Sequence, residues 1–203
     1  MAKFAASAVA GGAAAIRANG ADDIRAIRKA VGVPIIGIWK QMQSDGKVLI
    51  TPSVESALEL VAAGADMIAL DVTRRGQQYG ALERVRRLRQ ELAIPVLADI
   101  ATLDEALAAA RAGADFVLST LRGYTDETSG VQCFDLCFIQ ELMNRSPVPV
   151  IAEGMIDTPE QAHAALAAGA YAVVVGSAIT RPMTIARRFA DAIAILGAGE
   201  NCQ

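Results

Sequence analysis

The chain of 203 residues has few aromatic side chains, one histidine and three cysteines. Aromatic residues make up 4% of the chain although 53% is hydrophobic. The core must therefore consist mainly of alanine, valine, isoleucine and leucine, which is typical of parallel sheets packed by helices. Cys133, Cys137 and Cys202 are odd in number and lack paired metal-ligand spacing. This pattern argues against a disulfide framework and against a zinc site.

The chain also lacks a strong excess of either charge. Its net charge is −3 and its pI is about 5.2, and the basic residues are scattered. We therefore expect neither nucleic acid nor an anionic membrane surface as a partner. The N-terminal run MAKFAASAVAGGAAAI is rich in alanine and glycine and has no leucine-rich core or cleavage boundary. We interpret it as the start of a mature cytoplasmic protein and not as a signal peptide.

Two phrases alternate along the chain. The first is a helix end, a glycine and a strand, as in VAAGADMIALDV, and its glycines are Gly12, Gly64, Gly113 and Gly169. The second is a strand that opens near a proline, as in VPIIGIWK, IPVLADI and VPVIAEG. About seven strands that alternate with helices predict one α/β domain, a (β/α)8 TIM barrel, over residues 1–203. Residues 196–203 are predicted to be a frayed tail.

Residues 148–181 carry the clearest binding signal. They predict a strand, a helix that begins at Thr158 and Pro159, and a second strand that ends at a glycine. Backbone N–H groups at such glycines, a hydroxyl and a guanidinium group suit a phosphate monoester. The predicted phosphate ligands are Gly154, Gly176, Ser177 and Arg181.

Ionisable residues lie at the predicted strand ends. Asp99 and Glu153 each follow a strand-opening proline by four residues, and Lys40 follows one by six. Even offsets share one side of a strand, so these side chains should point together into the barrel. Arg17 and Asp71 also end strands, on the face where barrel active sites lie. The combination predicts proton transfer on a sugar phosphate.

Each of these residues has a plainer structural interpretation. A strand-end carboxylate can simply cap the next helix, and Lys40 can be a solvated loop residue. Asp71 can pair with Arg74 or Arg75. His163 lies on a predicted helix away from the strand ends, and we expect it on the surface.

Four segments together resemble the N-acylglucosamine-6-phosphate 2-epimerase family, the N-acetylmannosamine-6-phosphate 2-epimerases of bacterial sialic acid catabolism. They are VPIIGIWK, AAIRANG, STLRGYT and IAEGMIDTPEQAHAALAAGAYAVVVGSAITRP, and the resemblance spans nearly the whole chain. It implies a TIM barrel of the ribulose-phosphate-binding type. It also implies an isomerase that interconverts N-acetylmannosamine 6-phosphate and N-acetylglucosamine 6-phosphate by deprotonation and reprotonation at carbon 2 of the open-chain sugar. No metal or redox cofactor is then required.

The resemblance also implies roles for individual residues. Lys40 matches the catalytic base, and Glu153 matches the glutamate that assists it. Arg17 and Asp99 match residues that position the substrate, and Asp71 is a further substrate-binding candidate. The phosphate contacts of the family fall on the four ligands predicted above. The partner is a small amino sugar phosphate, and a homodimer is the assembly that we consider.

Two departures from the family pattern stand out. Family members begin with a strand that ends in a Ser-Cys-Gln-like run, whose glutamine contacts the substrate, whereas this chain begins in a helical run. We therefore expect seven of the eight strands, an N-terminally short domain, lower stability and weaker substrate binding than in a chain extended by one strand. The loop DVTRRGQQ also lacks the prolines usual in the family. Two alternatives stay open, namely a Schiff-base aldolase that uses Lys40 and a non-catalytic phosphate-binding barrel.

Overall fold

The computed structural model describes residues 1–198, which contain one sheet of seven parallel strands and one antiparallel hairpin. The parallel strands are β1 (Ile16–Asn19), β2 (Ile35–Ile38), β5 (Met67–Asp71), β6 (Val96–Asp99), β7 (Phe116–Leu118), β8 (Val150–Glu153) and β9 (Ala172–Val174). The hairpin strands are β3 (Lys40–Met42) and β4 (Val48–Ile50). Each parallel strand pairs with the next one along the chain. This order confirms the predicted TIM-barrel architecture and its seven strands.

Helices connect the strands and surround them. They are α1 (Ala2–Ala10), α2 (Ala21–Arg28), α3 (Val54–Ala62), α4 (Arg74–Gln78), α5 (Ala81–Glu91), α6 (Leu103–Ala112), α7 (Leu136–Arg145), α8 (Pro159–Ala167), α9 (Ser177–Thr180) and α10 (Pro182–Ala198), with short 3-10 turns at Ser119–Leu121 and Asp126–Thr128. The hydroxyl of Thr158 accepts from the Gln161 N–H, and Pro159 is the first residue of α8. The predicted start of this helix is therefore confirmed.

The repeat glycines turn the chain from each helix into the following strand. The φ angles of Gly12, Gly64, Gly113 and Gly169 lie between 101° and 106°. This left-handed region is strained for side chains with a Cβ atom, which explains why glycine recurs at these places.

Apolar side chains pack on both faces of the sheet. The larger cluster lies between the strands and the surrounding helices and includes Ile35, Ile68 and Leu88. A smaller cluster includes Ile36, Leu97 and Ile151, which come from the other face of the strands. Strand periodicity puts three charged side chains on the same face as this smaller cluster. Asp99 lies two residues after Leu97, and Glu153 lies two residues after Ile151. Arg17 pairs with Ile36 between β1 and β2. The parity argument therefore places these charges inside the barrel.

One side of the barrel is less covered than the rest. Among the strands of residues 1–198, β1 and β9 each have a single recorded neighbour in the sheet. All three residues of β9 are half-buried, and α10 exposes Met183, Phe189 and Ile193. In the described chain no helix is both long and apolar enough to cross a membrane.

Three predictions concern the chain end and the surface. Helix α10 continues to Ala198, so residues 196–198 are helical, and the rest of the predicted tail, 199–203, lies outside the described residues. Cys133 and Cys137 are free and exposed, whereas Cys202 lies outside the described residues. His163 is exposed, as expected.

Candidate active site

A cavity of about 1190 Å³ opens at the carboxyl ends of the strands. Seven of the predicted site residues line it, namely Lys40, Asp71, Glu153, Gly154, Gly176, Ser177 and Arg181. The other two, Arg17 and Asp99, contact the cavity wall through Glu153 and its neighbours. The structure therefore brings all nine predicted residues to one end of the barrel.

Arg17, Asp99 and Glu153 form one group, which we call the ion-pair cluster. Arg17 Nη1 and Nη2 donate to the two carboxylate oxygens of Asp99 at 2.8 and 2.7 Å, a bidentate pair. Arg17 Nη1 also donates to Glu153 Oε2 at 2.6 Å. The side chains are 7%, 0% and 16% exposed, respectively. One buried cation thus serves two carboxylates.

Two residues that the sequence reasoning did not select hold Glu153 in place. Ser119 follows β7 directly, and its hydroxyl donates to the Glu153 carbonyl at 2.8 Å and accepts from the Glu153 N–H at 3.0 Å. Thr120 Oγ1 lies 2.7 Å from Asp99 Oδ1 and 3.1 Å from Glu153 Oε2. Both residues could have been found from the sequence, because Ser119 and Thr120 begin the run STLRGYT and form a polar pair directly after the buried strand β7.

Burial and charge act in opposite directions on this cluster. Burial raises the pKa of Glu153 above its ordinary value, and the Asp99 charge adds to this rise, although Arg17 opposes it. Burial alone would lower the pKa of Arg17, but the charges of Asp99 and Glu153 raise it above its ordinary value. Burial therefore favours the protonated form of Glu153, whereas Arg17 keeps its charge.

Asp71 is buried separately from the ion-pair cluster. Its Oδ1 accepts from the Thr73 hydroxyl at 2.6 Å and from the Thr73 N–H at 3.0 Å. Burial raises the pKa of Asp71 to about 6. The alternative pairing with Arg74 or Arg75 is wrong, because Arg74 pairs with Glu127 and Arg75 with Asp45. Asp71 therefore faces the cavity without an ion pair recorded in residues 1–198.

Lys40 lies at the rim of the cavity and is not part of β2. Residue 40 begins β3, is exposed and lines the cavity. Its backbone N–H donates to Asn19 Oδ1 at 2.7 Å, which ties the hairpin to the end of β1. Among the ion pairs of residues 1–198, none includes Lys40.

The predicted phosphate ligands lie on the less covered side of the barrel. Gly154 follows β8 with φ of 103°, and a Cβ there would lie 3.3 Å from the Ser119 carbonyl oxygen. Gly176, Ser177 and Arg181, which we call the phosphate loop, lie at the two ends of the short helix α9, which begins at Ser177, and all three are exposed. All three residues line the cavity, where an anion can reach them.

Ion pairs connect the tip of the hairpin to helix α4 and to the 3-10 turn Asp126–Thr128 at the cavity mouth. Asp45 and Lys47, at the tip of the β3–β4 hairpin, pair with Arg75 at 2.9 Å and with Asp126 at 3.1 Å. The sequence reasoning did not predict this hairpin. Its turn, SDGK, is a signal that could have found it, because Asp-Gly favours tight turns between strands.

The arrangement combines groups that can move protons with groups that can hold an anion. Glu153 can give or take a proton, an amine at Lys40 can act as a base, and the phosphate loop can bind an anionic end of the substrate. In the part of the chain that the structure describes, no three His, Cys, Asp or Glu side chains are grouped to hold a metal ion.

Comparison with known proteins gives a consistent result. Residues 1–195 match the family model described as "Putative N-acetylmannosamine-6-phosphate epimerase". A relative from Cutibacterium acnes, named "Putative N-acetylmannosamine-6-phosphate 2-epimerase", is 45% identical over 197 residues, which are 95% of this chain and 85% of the relative. A relative of the same name from Caldanaerobacter subterraneus is 45% identical over 192 residues, covering 93% of this chain and 81% of the relative.

A solved structure agrees with these sequence matches. The N-acetylmannosamine-6-phosphate 2-epimerase from Clostridium perfringens superposes with a TM-score of 0.87 at 40% identity. The alignment covers 94% of this chain and 83% of the solved chain. The likeness therefore extends from the sequence to the whole barrel.

Proposed function

This chain belongs to the N-acetylmannosamine-6-phosphate epimerase family and is a 2-epimerase, and we propose that Lys40 is its base and Glu153 its acid. The reaction interconverts N-acetylmannosamine 6-phosphate and N-acetylglucosamine 6-phosphate. The two sugars differ only in configuration at carbon 2. The enzyme must therefore remove the proton at carbon 2 and return it on the opposite face.

The proton at carbon 2 is acidic only when carbon 1 is an aldehyde, so the sugar ring must first open. Lys40 then takes the proton from carbon 2 as Glu153 gives a proton to the aldehyde oxygen, and an enol forms. Rotation about the bond between carbons 2 and 3 turns the other face of the enol towards Lys40, which returns the proton to carbon 2 as the enol hydroxyl gives its proton back to Glu153, so the epimer forms. Atoms and charges balance, because each transferred proton is returned.

The observation that carries this assignment is the composition of the ion-pair cluster. Two buried carboxylates share one guanidinium, so the cluster is neutral only when one carboxylate keeps a proton. The bidentate partner Asp99 is fully buried, whereas Glu153 reaches the cavity wall. Glu153 is thus the carboxyl group that can exchange its proton with a substrate.

Substrate positioning completes the proposal. Arg17, Asp99 and Asp71 orient the sugar, and Gly154 with the phosphate loop binds the 6-phosphate. The phosphate lies far from carbon 2 along the open chain, so its binding energy can hold carbon 2 against Lys40. The hydroxyl of Ser177 and the guanidinium of Arg181 supply donors that suit a phosphate dianion.

We further propose a cytoplasmic homodimer that works on a free sugar phosphate. The free thiols of Cys133 and Cys137 fit a reducing compartment. The exposed apolar side chains Met183, Phe189 and Ile193 of α10 offer a surface that a second copy can cover. Light scattering after gel filtration, compared between the natural chain and Phe189→Asp, tests this assembly. A monomeric natural chain would contradict it.

The decisive test of the reaction is an assay in D2O. Purified protein with N-acetylmannosamine 6-phosphate should form the 2-epimer and incorporate deuterium at carbon 2, as read by proton NMR. Conversion without exchange, or no conversion, would contradict the proposal. Borohydride treatment in the presence of substrate should leave the protein mass unchanged. A covalent adduct on Lys40 would instead indicate the Schiff-base aldolase.

A further inference from the structure

Thr120 contacts every charged member of the ion-pair cluster. Its Oγ1 lies 2.7 Å from Asp99 Oδ1, 3.1 Å from Glu153 Oε2 and 3.2 Å from Arg17 Nη1. Thr120 is half-buried, lines the cavity and directly follows Ser119, whose hydroxyl fixes the Glu153 backbone. The hydroxyl therefore has a fixed position between the two carboxylates.

The three contacts restrict where protons can lie. A hydroxyl has one hydrogen to donate and two lone pairs that accept, whereas a guanidinium only donates. Arg17 Nη1 carries two hydrogens, and its shorter contacts with Asp99 at 2.8 Å and with Glu153 at 2.6 Å use both of them. The Thr120 hydroxyl can itself donate to only one of the two carboxylates. Asp99 is the closer, at 2.7 Å. The contact with Glu153 is then a hydrogen bond only if Glu153 itself supplies the proton.

We propose that Thr120 is a positioning residue that keeps a proton on Glu153, by accepting the hydrogen bond of that proton while it donates its own hydrogen to Asp99. Both carboxyl contacts of the hydroxyl are then satisfied, with one donated and one accepted hydrogen bond. The ionised Asp99 and Arg17 neutralise each other. This inference rests on the proposed function, because it makes Glu153 the acid of that reaction.

Other charged groups near Glu153 also influence its protonation. Arg17 on β1 and Asp99 on β6 act directly on Glu153. The other charged groups considered line the same cavity, namely Asp71 at the end of β5, which is next to β6, Lys40 and Arg181. Only Arg17 and Asp99 are hydrogen-bonded to the group formed by Glu153 and Thr120. A change at Thr120 therefore alters the protonation of Glu153 without removing a charge.

The first test compares Thr120→Val with Thr120→Ser. Valine has nearly the same shape but no hydroxyl, and serine keeps the hydroxyl. Thr120→Val should lower kcat about tenfold or more and leave KM within about twofold, since a hydrogen bond to the acid is lost and the phosphate contacts are not. Thr120→Ser should restore most of kcat. Normal kcat in Thr120→Val, or no rescue by serine, would overturn the proposal.

The pH dependence gives a readout that general loss of structure would not. If the hydroxyl accepts from protonated Glu153, its removal destabilises the neutral form and lowers the pKa of Glu153. The alkaline limb of the kcat profile should then move to lower pH in Thr120→Val. A hydroxyl that donates to ionised Glu153 would produce the opposite movement. A shift to higher pH, or none, would therefore overturn the proposal.

A direct titration separates this inference from the proposed reaction. Carbon-13 NMR of protein labelled at the glutamate carboxyl carbons follows Glu153 without turnover, and Glu153→Gln identifies its signal. Thr120→Val should titrate at lower pH than the natural protein, and Thr120→Ser should not. If Thr120→Val fails to fold, Thr120→Ala replaces it. A missing epimerase activity would refute the reaction alone, whereas an unshifted titration would refute the role of Thr120.

Discussion

The two sides of the cavity differ in how their functional groups are held. On one side, the members of the ion-pair cluster are between 0% and 16% exposed and satisfy one another. On the other side, Gly176, Ser177 and Arg181 are exposed, next to the strand with a single recorded neighbour. Under the proposed function, the acid at the reacting end is therefore fixed by the fold, whereas the groups proposed to bind the phosphate are exposed to water.

This difference predicts two kinds of variant. Loss of a buried charge leaves its partner unpaired in a medium of low dielectric constant, so stability and activity should fall together. Loss of an exposed ligand leaves nothing unpaired, so only binding should suffer. Lys40 is a third case, because it is exposed and its proposed role is chemical.

Lys40→Ala should have the largest effect of all. General bases typically contribute about 10²–10⁴-fold to the rate, so kcat should fall by that factor. Stability should not change, because Lys40 is exposed and lies in no recorded ion pair of the described chain. Substrate affinity should stay near normal, as measured by calorimetry. Lys29→Ala, at an exposed position after α2, is the matched control. More than a few per cent of residual activity would show that Lys40 is not the base.

Arg17→Met should cause the largest loss of stability. The change leaves Asp99 and Glu153 buried without their cation, and removal of one partner of a buried pair costs about 3–5 kcal/mol. Urea unfolding at neutral pH measures this loss. The deficit should shrink at acidic pH, since protonation removes the buried carboxylate charge that Arg17 no longer neutralises. Arg25→Met, which removes only an exposed pair with Asp22, is the control. Equal stability of the two variants would contradict the expectation that a buried ion pair contributes more to stability than an exposed one.

Arg181→Ala should weaken binding and spare the fold. A hydrogen bond to a charged group is worth about 1.5–3 kcal/mol, so KM should rise about 10–100-fold, with a smaller change in kcat. The melting temperature should match that of Arg111→Ala, a control at the exposed end of α6. A normal KM would remove Arg181 from the phosphate site, and a marked loss of stability would show that this side of the cavity is not independent of the fold.

Strand periodicity predicted the buried side of the cavity better than the exposed side. Equal offsets from Pro95 and Pro149 placed Asp99 and Glu153 on one face, and both bond Arg17 in the structure. A two-residue period is a local property of the chain, so it can be found without coordinates. The same count extended to Lys40 did not anticipate that β2 ends at Ile38 and that residue 40 opens a hairpin.

The contacts of Thr120 could not be predicted in this way. They join residues separated by 21, 33 and 103 positions, and they depend on how neighbouring strands are staggered. A hydroxyl also carries no charge signal in the sequence. The pattern therefore indicated which charges meet, whereas the structure shows which neutral group lies between them.

Asp71→Asn tests how much a buried charge without a cation destabilises the fold. Asp71 is buried like the ion-pair cluster, but it forms no ion pair within residues 1–198. Its pKa is raised to about 6 by burial, against an ordinary value of 3.8. Below about pH 4 both folded and unfolded chains hold this proton, and the carboxyl group costs nothing. Between about pH 4 and pH 6 the unfolded chain has released this proton while the folded chain still holds it, so the free energy of unfolding falls as pH rises. Above about pH 6 the folded chain is ionised as well, and the loss of stability stays constant. Asparagine keeps an oxygen for both Thr73 hydrogen bonds and carries no charge.

We therefore expect Asp71→Asn to be more stable than the natural chain by about 3 kcal/mol at pH 8, with the difference becoming small near pH 4. Urea unfolding at both pH values measures this. The same variant should lose substrate affinity, since the proposed role of Asp71 is to orient the sugar. A stability difference that does not change with pH would mean that the Asp71 charge is compensated in the folded chain. The buried charge of Asp71 would then destabilise the folded chain no more than the buried carboxylates that are paired with Arg17.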